Sequence, residues 1–234
     1  MLKKLLPFAL MLAFASQAVA DEADIKKAME AKLGTKIESV TKSGYLGLYE
    51  VYADGNILYT DEKMTAFIAG GQLIEGKSMK NVTEERMRKL TAIRFGDLPL
   101  ERAIKQVRGD GKRVLATFED PNCGYCKRLA KDLQKLDNVT IYTFLLPILS
   151  EDSIRKSKQI WCSADRAKTW NDWMIDGKSP AGREDCDTSA VSKNQEFGRK
   201  LNISGTPTMF FGDGERVPGA MPLARIEQRL GQVK

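Results

Sequence analysis

The chain has 234 residues, 42% of them hydrophobic and 29% charged, a balance that suits a globular protein and excludes a disordered or collagen-like one. Its 37 Lys and Arg against 31 Asp and Glu give a formal charge of +6, interspersed rather than gathered in basic blocks, so no nucleic acid partner is expected. It contains no His, which removes imidazole from catalysis and from metal binding, and it has four Cys.

Met1-Leu2-Lys3-Lys4 is a basic start, Leu5 to Phe14 an apolar run, and Ala18-Val19-Ala20 a small-residue cleavage pattern ahead of Asp21-Glu22. Residues 1–20 therefore read as a secretory leader cut after Ala20, leaving a mature chain of net charge +4 in an exported, disulfide-permissive space. An uncleaved anchor is the alternative for the same residues. The run is shorter than the ~20 residues that span a bilayer, and no later segment approaches about 18 uninterrupted apolar residues.

Residues 24–33 put Ile25, Ala28, Met29 and Leu33 on one face of a short helix that Gly34 stops. Strand-like runs follow at 36–40, 45–53, 56–60 and 65–69, with Asp54-Gly55 as a hairpin signal. This N-terminal domain, expected over 21–81, holds about sixty residues and no Cys to staple them, so pairing with a second copy would cover its sheet edge and apolar face. A helical run at 84–93 comes next, with Thr83 as N-cap and Glu84 and Glu85 in the first turn; Phe95-Gly96-Asp97 ends it. Residues 82–97 thus form a linker helix between two compositionally different halves. Asn81-Val82-Thr83 also matches a glycosylation sequon.

The second half, 98–234, reads as helix 100–107, strand 113–118, helix 123–136 and strand 139–146, then helices 153–162, 165–175 and 190–201. Strands near 208–211 and 215–217 and a helix at 223–230 close it. The pattern is a β-α-β start, a helical insertion over about 150–200, and a β-β-α finish.

Cys123-Gly124-Tyr125-Cys126 stands where a strand gives way to a helix, after the turn residues Pro121-Asn122. At a helix N-terminus, unpaired N–H groups and the positive dipole end stabilise a thiolate, the species that attacks a disulfide. Cys123 is therefore the expected nucleophile at an exposed helix start, and Cys126 the less accessible thiol that resolves the mixed disulfide. Cys162 and Cys186 lack such a setting. A structural disulfide closing the loop between them would add roughly 3 kcal/mol in the entropic view; a second redox pair and a zinc site are the other readings. Only one pair has knuckle spacing, and no metal or other cofactor is expected.

These residues resemble the DsbC/DsbG family of periplasmic disulfide isomerases in the thioredoxin superfamily, over essentially the whole chain. The resemblance rests on the C-G-Y-C at Cys123–Cys126, on Ser204-Gly205-Thr206-Pro207-Thr208 as a cis-proline loop, on the second pair Cys162 and Cys186, and on Val217-Pro218-Gly219. It implies an α+β thioredoxin fold with a helical insertion behind an N-terminal dimerisation domain. It also implies thiol–disulfide exchange on misoxidised exported clients in the periplasm, a homodimer, and a DsbD-type membrane reductase that restores the dithiol. Thr206, Pro207 and Tyr125 would meet the substrate. The related alternatives are a DsbG-like chaperone or sulfenic-acid reductase and a DsbA-like oxidase. One departure stands out: Lys127 occupies the position where the commoner pattern has His, and its charge either favours the Cys123 thiolate or points into water. Glu119 and Asp120 are both candidates for a buried proton acceptor. The three Trp are assigned to packing.

Overall fold

The computed structural model describes residues 21–233; the expected leader lies outside the described residues. The chain divides into two compact units between Gly71 and Gln72.

In the first unit, α1 (Glu22–Leu33) starts where Asp21 accepts the Asp24 amide at 2.9 Å and stops at Gly34, whose φ of +66° suits a residue without Cβ. Strands β1 (Ile37–Lys42), β2 (Tyr49–Ala53), β3 (Asn56–Thr60) and β4 (Phe67–Ala69) form an antiparallel sheet in that order. Asp54 and Gly55 both have positive φ, the geometry of a two-residue hairpin turn matched to the strand twist. Ile25 and Met29 bury against Ile37, Val40, Tyr49 and Val51. The last strand is different. All three β4 residues are exposed, Phe67 by 40% and Ile68 by 49%, and their sheet edge has no further strand among the described residues.

The second unit opens with α2 (Val82–Leu90). Its N-cap is Asn81 and not Thr83, because the Asn81 carboxamide reaches the Glu84 amide at 3.0 Å. Thr83 is instead buried, its hydroxyl accepting the Leu73 amide at 2.8 Å. The helix ends at Leu90, and Phe95–Asp97 is a separate 3-10 turn, so residues 82–97 are not one continuous helix. Arg88 pairs with Glu215 at 3.4 Å, and the Ile93 amide donates to the Gly214 carbonyl, which fixes this segment to the second unit.

The helix expected at 100–107 is a strand. After a 3-10 turn at Leu100–Arg102, β5 (Ile104–Arg108) pairs antiparallel with β7 (Val139–Leu145). Leu100, Ile104 and Val107 mimic helical spacing, but Ile104 is 2% exposed and Val107 55%, the alternation of an edge strand. The sheet order is β5-β7-β6-β8-β9, with β6 (Arg113–Glu119), β8 (Thr208–Phe211) and β9 (Arg216–Pro218). Helix α3 (Gly124–Leu133) joins the parallel pair β6 and β7. Three helices, α4 (Glu151–Trp161), α5 (Arg166–Met174) and α6 (Ser189–Lys200), intervene before β8, and α7 (Leu223–Gln232) follows β9. On one side of the sheet Leu129 and Leu133 pack with Ile141, Met209 and Ile226. Phe118 and Phe144 stack at 4.6 Å in a separate cluster with Phe210. This is a thioredoxin fold with an additional edge strand, and it carries β6 straight into the Cys123 turn.

Candidate active site

Cys123 is the N-cap of α3. Its Sγ accepts the Cys126 amide at 3.3 Å, which answers one of the unpaired donors of the helix start and favours a negative sulfur. The same sulfur lies 3.2 Å from the Thr206 carbonyl, to which the thiol donates. Thr206–Pro207 is a cis peptide at the entry to β8, so the two strand ends meet at the dithiol. This contact corrects the expectation of an exposed nucleophile: Cys123 is 5% exposed and Cys126 0%. Both are free thiols. The helix start is open, but the Thr206 carbonyl covers the sulfur. Tyr125 beside it is 60% exposed, with the Arg128 guanidinium 4.4 Å from its ring centre.

The two acids on β6 and its exit divide their work. Asp120 Oδ1 accepts the Asn122 amide and the Ser153 hydroxyl, both at 2.7 Å, and its Oδ2 accepts the Ile148 and Leu149 amides at 2.8 and 3.0 Å. It is fully spent on holding the turn. Glu119 is 1% exposed and takes one hydrogen bond, from Thr117 Oγ1 at 2.7 Å. Burial, against the weaker pull of that bond, pushes its carboxyl up to about 7. Cys126 is raised as well, first by burial and then by the charge of Glu119. A neutral buried thiol beside an acid that titrates near neutrality is suited to internal proton transfer.

A family model described as a thioredoxin-like domain matches residues 100–234, and one described as the disulfide bond isomerase protein N-terminal domain matches 16–84. The chain is 47% identical over 217 residues to a probable thiol:disulfide interchange protein DsbC of Bordetella parapertussis, covering 92% of this chain and 76% of the relative. Against the thiol:disulfide interchange protein DsbC of Escherichia coli K12 it is 28% identical over 237 residues, 99% of this chain and 97% of that one. The chain belongs to the DsbC family. A disulfide interchange protein from Neisseria gonorrhoeae, solved as a crystal structure, matches with a TM-score of 0.55 at 40% identity, over 58% of this chain and 98% of that one. The protein is accordingly a thiol:disulfide interchange enzyme.

Other parts of this DsbC-family chain also bear on the site. Cys162 and Cys186 are joined in a disulfide, with Cα atoms 5.6 Å apart. Among the described residues no group of acids and Cys is arranged to hold a metal ion. Lys127 takes neither expected course: its Nζ lies 3.9 Å from the centre of the Trp173 ring. Partial burial, then the charges of Lys156 and Lys131, draw it below the ordinary lysine value. Lys156 approaches the same ring at 4.3 Å and also donates to Asn122 Oδ1 and Asp152. Trp173 Nε1 donates to the Pro121 carbonyl at 2.6 Å, so this Trp is a brace for the Cys123 turn as well as a packing residue. Nothing in the sequence pairs Trp173 with Pro121. A signal for Glu119 did exist: Thr117 and Glu119 are the two polar residues, on one face, of the otherwise apolar buried stretch 115–119 of β6.

Proposed function

We propose that the protein is an exported disulfide isomerase of the periplasm, working as a homodimer on misoxidised client proteins. Cys123 thiolate attacks a client disulfide; a bond forms between Cys123 Sγ and one client sulfur, and the other leaves as a thiolate. A second client thiol can then displace Cys123, so the disulfide moves with no net change in electrons. In the reductive branch Cys126 passes its proton to Glu119 and attacks Cys123 Sγ. The client departs with two electrons gained, and a disulfide joins Cys123 to Cys126. A DsbD-type membrane reductase would return those electrons.

The observation that carries this reading is the pairing of the N-cap thiol Cys123, held against the Thr206 carbonyl, with a buried Cys126 and an acid raised to about 7. Thr206, Pro207 and Tyr125 line the place where a client must lie to reach Cys123. Ile148 and Leu149, 41% and 56% exposed and anchored through Asp120, add apolar surface of the kind an incompletely folded client would cover. Cys162–Cys186 serves as a structural clip. No helix among the described residues is long and apolar enough to cross a membrane, and a leader removed after Ala20 would export the chain.

Dimerisation is assigned to β4, whose free edge and exposed Phe67 and Ile68 suit strand pairing with a second copy. Refolding of a scrambled multi-disulfide client tests the activity. The wild type should restore native pairing, and Cys123→Ala should not. Failure of the wild type to reshuffle while it oxidises a reduced client would replace isomerase by oxidase. Sedimentation tests the interface: Phe67→Glu with Ile68→Lys should give a monomer, and an unchanged dimer would move the interface elsewhere.

A further inference from the structure

Glu119 lines a cavity of ≈ 10 Å³, room for about one water molecule, with Ala130 and Trp170 on its apolar side. Arg108, Thr143 and the side-chain amides of Gln106, Gln134 and Asn171 supply the rest of its polar wall. Two atoms of residues lining this cavity, Glu119 Oε2 and Arg108 Nε, are buried and have no hydrogen-bond partner among the described residues. One belongs to a carboxyl and the other can only donate. Leaving such groups unpaired in a buried place is unfavourable.

The remaining nitrogens of Arg108 are firmly held. Nη1 donates to the Gln134 carbonyl and Nη2 to Gln134 Oε1, each at 2.6 Å. The chain continues in one direction: Gln134 Nε2 donates to Asn171 Oδ1 at 3.3 Å, and Asn171 Nδ2 to Gln106 Oε1 at 2.9 Å. This string of amides joins β5, the end of α3 and α5 around the cavity. It holds the guanidinium through its other two nitrogens and leaves Nε without a partner among the described residues.

We infer that this cavity is the proton exit of the active site: one water between Arg108 Nε and Glu119 Oε2 carries away the proton that Glu119 takes from Cys126, with Arg108 and Gln134 as its positioning residues. The inference rests on the reading of Glu119 as the acceptor. The Cys126 S–H bond breaks and a Glu119 O–H bond forms. The carboxyl then gives its proton to the water, which releases one of its own to bulk solvent, and Glu119 is again a carboxylate. No electrons move in this step. The charged and titratable groups facing Glu119 are Cys126 on α3 and Arg108 on β5. Thr143 on β7 and Trp170 and Asn171 on α5 do not ionise. Arg108 is thus the cation among the residues that line the cavity.

The test uses the full-length protein loaded at Cys123 with a disulfide-bonded peptide. Its release by Cys126 is followed across about pH 5 to 9, the range in which a base titrating near 7 changes state. Arg108→Met, which takes away the donor that holds the water, should slow release about tenfold. Arg108→Lys, which keeps a donor, should lie nearer the wild-type rate. Gln134→Leu should slow release with the midpoint unmoved. Formation of the mixed disulfide at Cys123 should be the same in all three. A latch of purely structural importance would lower the melting temperature and leave rate and midpoint alone; that result overturns the proposal. If Arg108→Met does not fold, an unaltered release rate in Gln134→Leu overturns it equally. An unaltered profile in Glu119→Gln would instead refute Glu119 as the acceptor. A profile altered in Glu119→Gln but in neither Arg108→Met nor Gln134→Leu would keep the acceptor and reject the exit.

Discussion

The two cysteine pairs sit at opposite kinds of helix end. Cys123 caps the N-terminus of α3, where the Cys126 N–H points at its sulfur. Cys162 caps the C-terminus of α4 and spends its own N–H on the Lys158 carbonyl, among backbone oxygens that disfavour a thiolate. Cys126 stands over a buried acid, whereas Cys186 lies exposed in the loop before α6, outside any helix or strand. The same side chain is a free thiol in one place and half of a disulfide in the other. Helix polarity and burial make that difference.

The largest way to break the comparison is to exchange the pairs' roles by mutation. Cys123→Ala should abolish exchange with clients, while Cys162→Ala with Cys186→Ala should leave the rate of client attack in place; stopped-flow mixing with a model disulfide reads both. Cys126→Ala should still attack but accumulate long-lived mixed disulfides, visible by mass spectrometry.

Glu119→Gln should slow Cys126-dependent release by about 100-fold, the lower range for losing a general base. It also carries a stability signature. A carboxyl raised when folded binds its proton more tightly in the native state. Its contribution is therefore present below the unfolded value of 4.5 and lost as pH rises through about 7. Between those limits the wild type should lose about 3 kcal/mol that Glu119→Gln does not lose, measured as urea midpoints at several pH values.

Removing the Cys162–Cys186 bridge should lower stability by roughly 3 kcal/mol, read from chemical denaturation. Smallest is Lys127→Met, which deletes a cation beside an aromatic ring and should cost about 0.5–1 kcal/mol, with client attack unchanged. A marked loss of attack in that variant would return Lys127 to the role of thiolate stabiliser.

Much of the site was legible because it is local. The turn Pro121-Asn122, the N-cap Cys123 and the cis-proline segment are each written within a few adjacent residues. What stayed hidden depends on distant partners. The covering of Cys123 by Thr206 joins residues far apart in the chain, and the brace from Trp173 to Pro121 reaches across from α5. Between Glu119 and Asp120 the choice needed the donors that only folding brings to Asp120. In the fold, β5 was misread because Leu100, Ile104 and Val107 satisfy a helical period while an edge strand tolerates an exposed Val107. The α2 cap was misplaced because Asn81 and Thr83 are both good capping residues, and only the position of Leu73 selects between them.

Asp120 has a mechanical consequence. Its two oxygens gather the Cys123 turn, the loop after β7 and the first turn of α4 onto one carboxylate. The inserted helices are therefore wired into the strand that delivers the dithiol, and their excision would cut the support of the turn itself. A graft of this insertion onto a plain thioredoxin scaffold would need an acid at that corner and two loop amides facing it. Without them, the borrowed helices would be passengers with no hold on the sulfur.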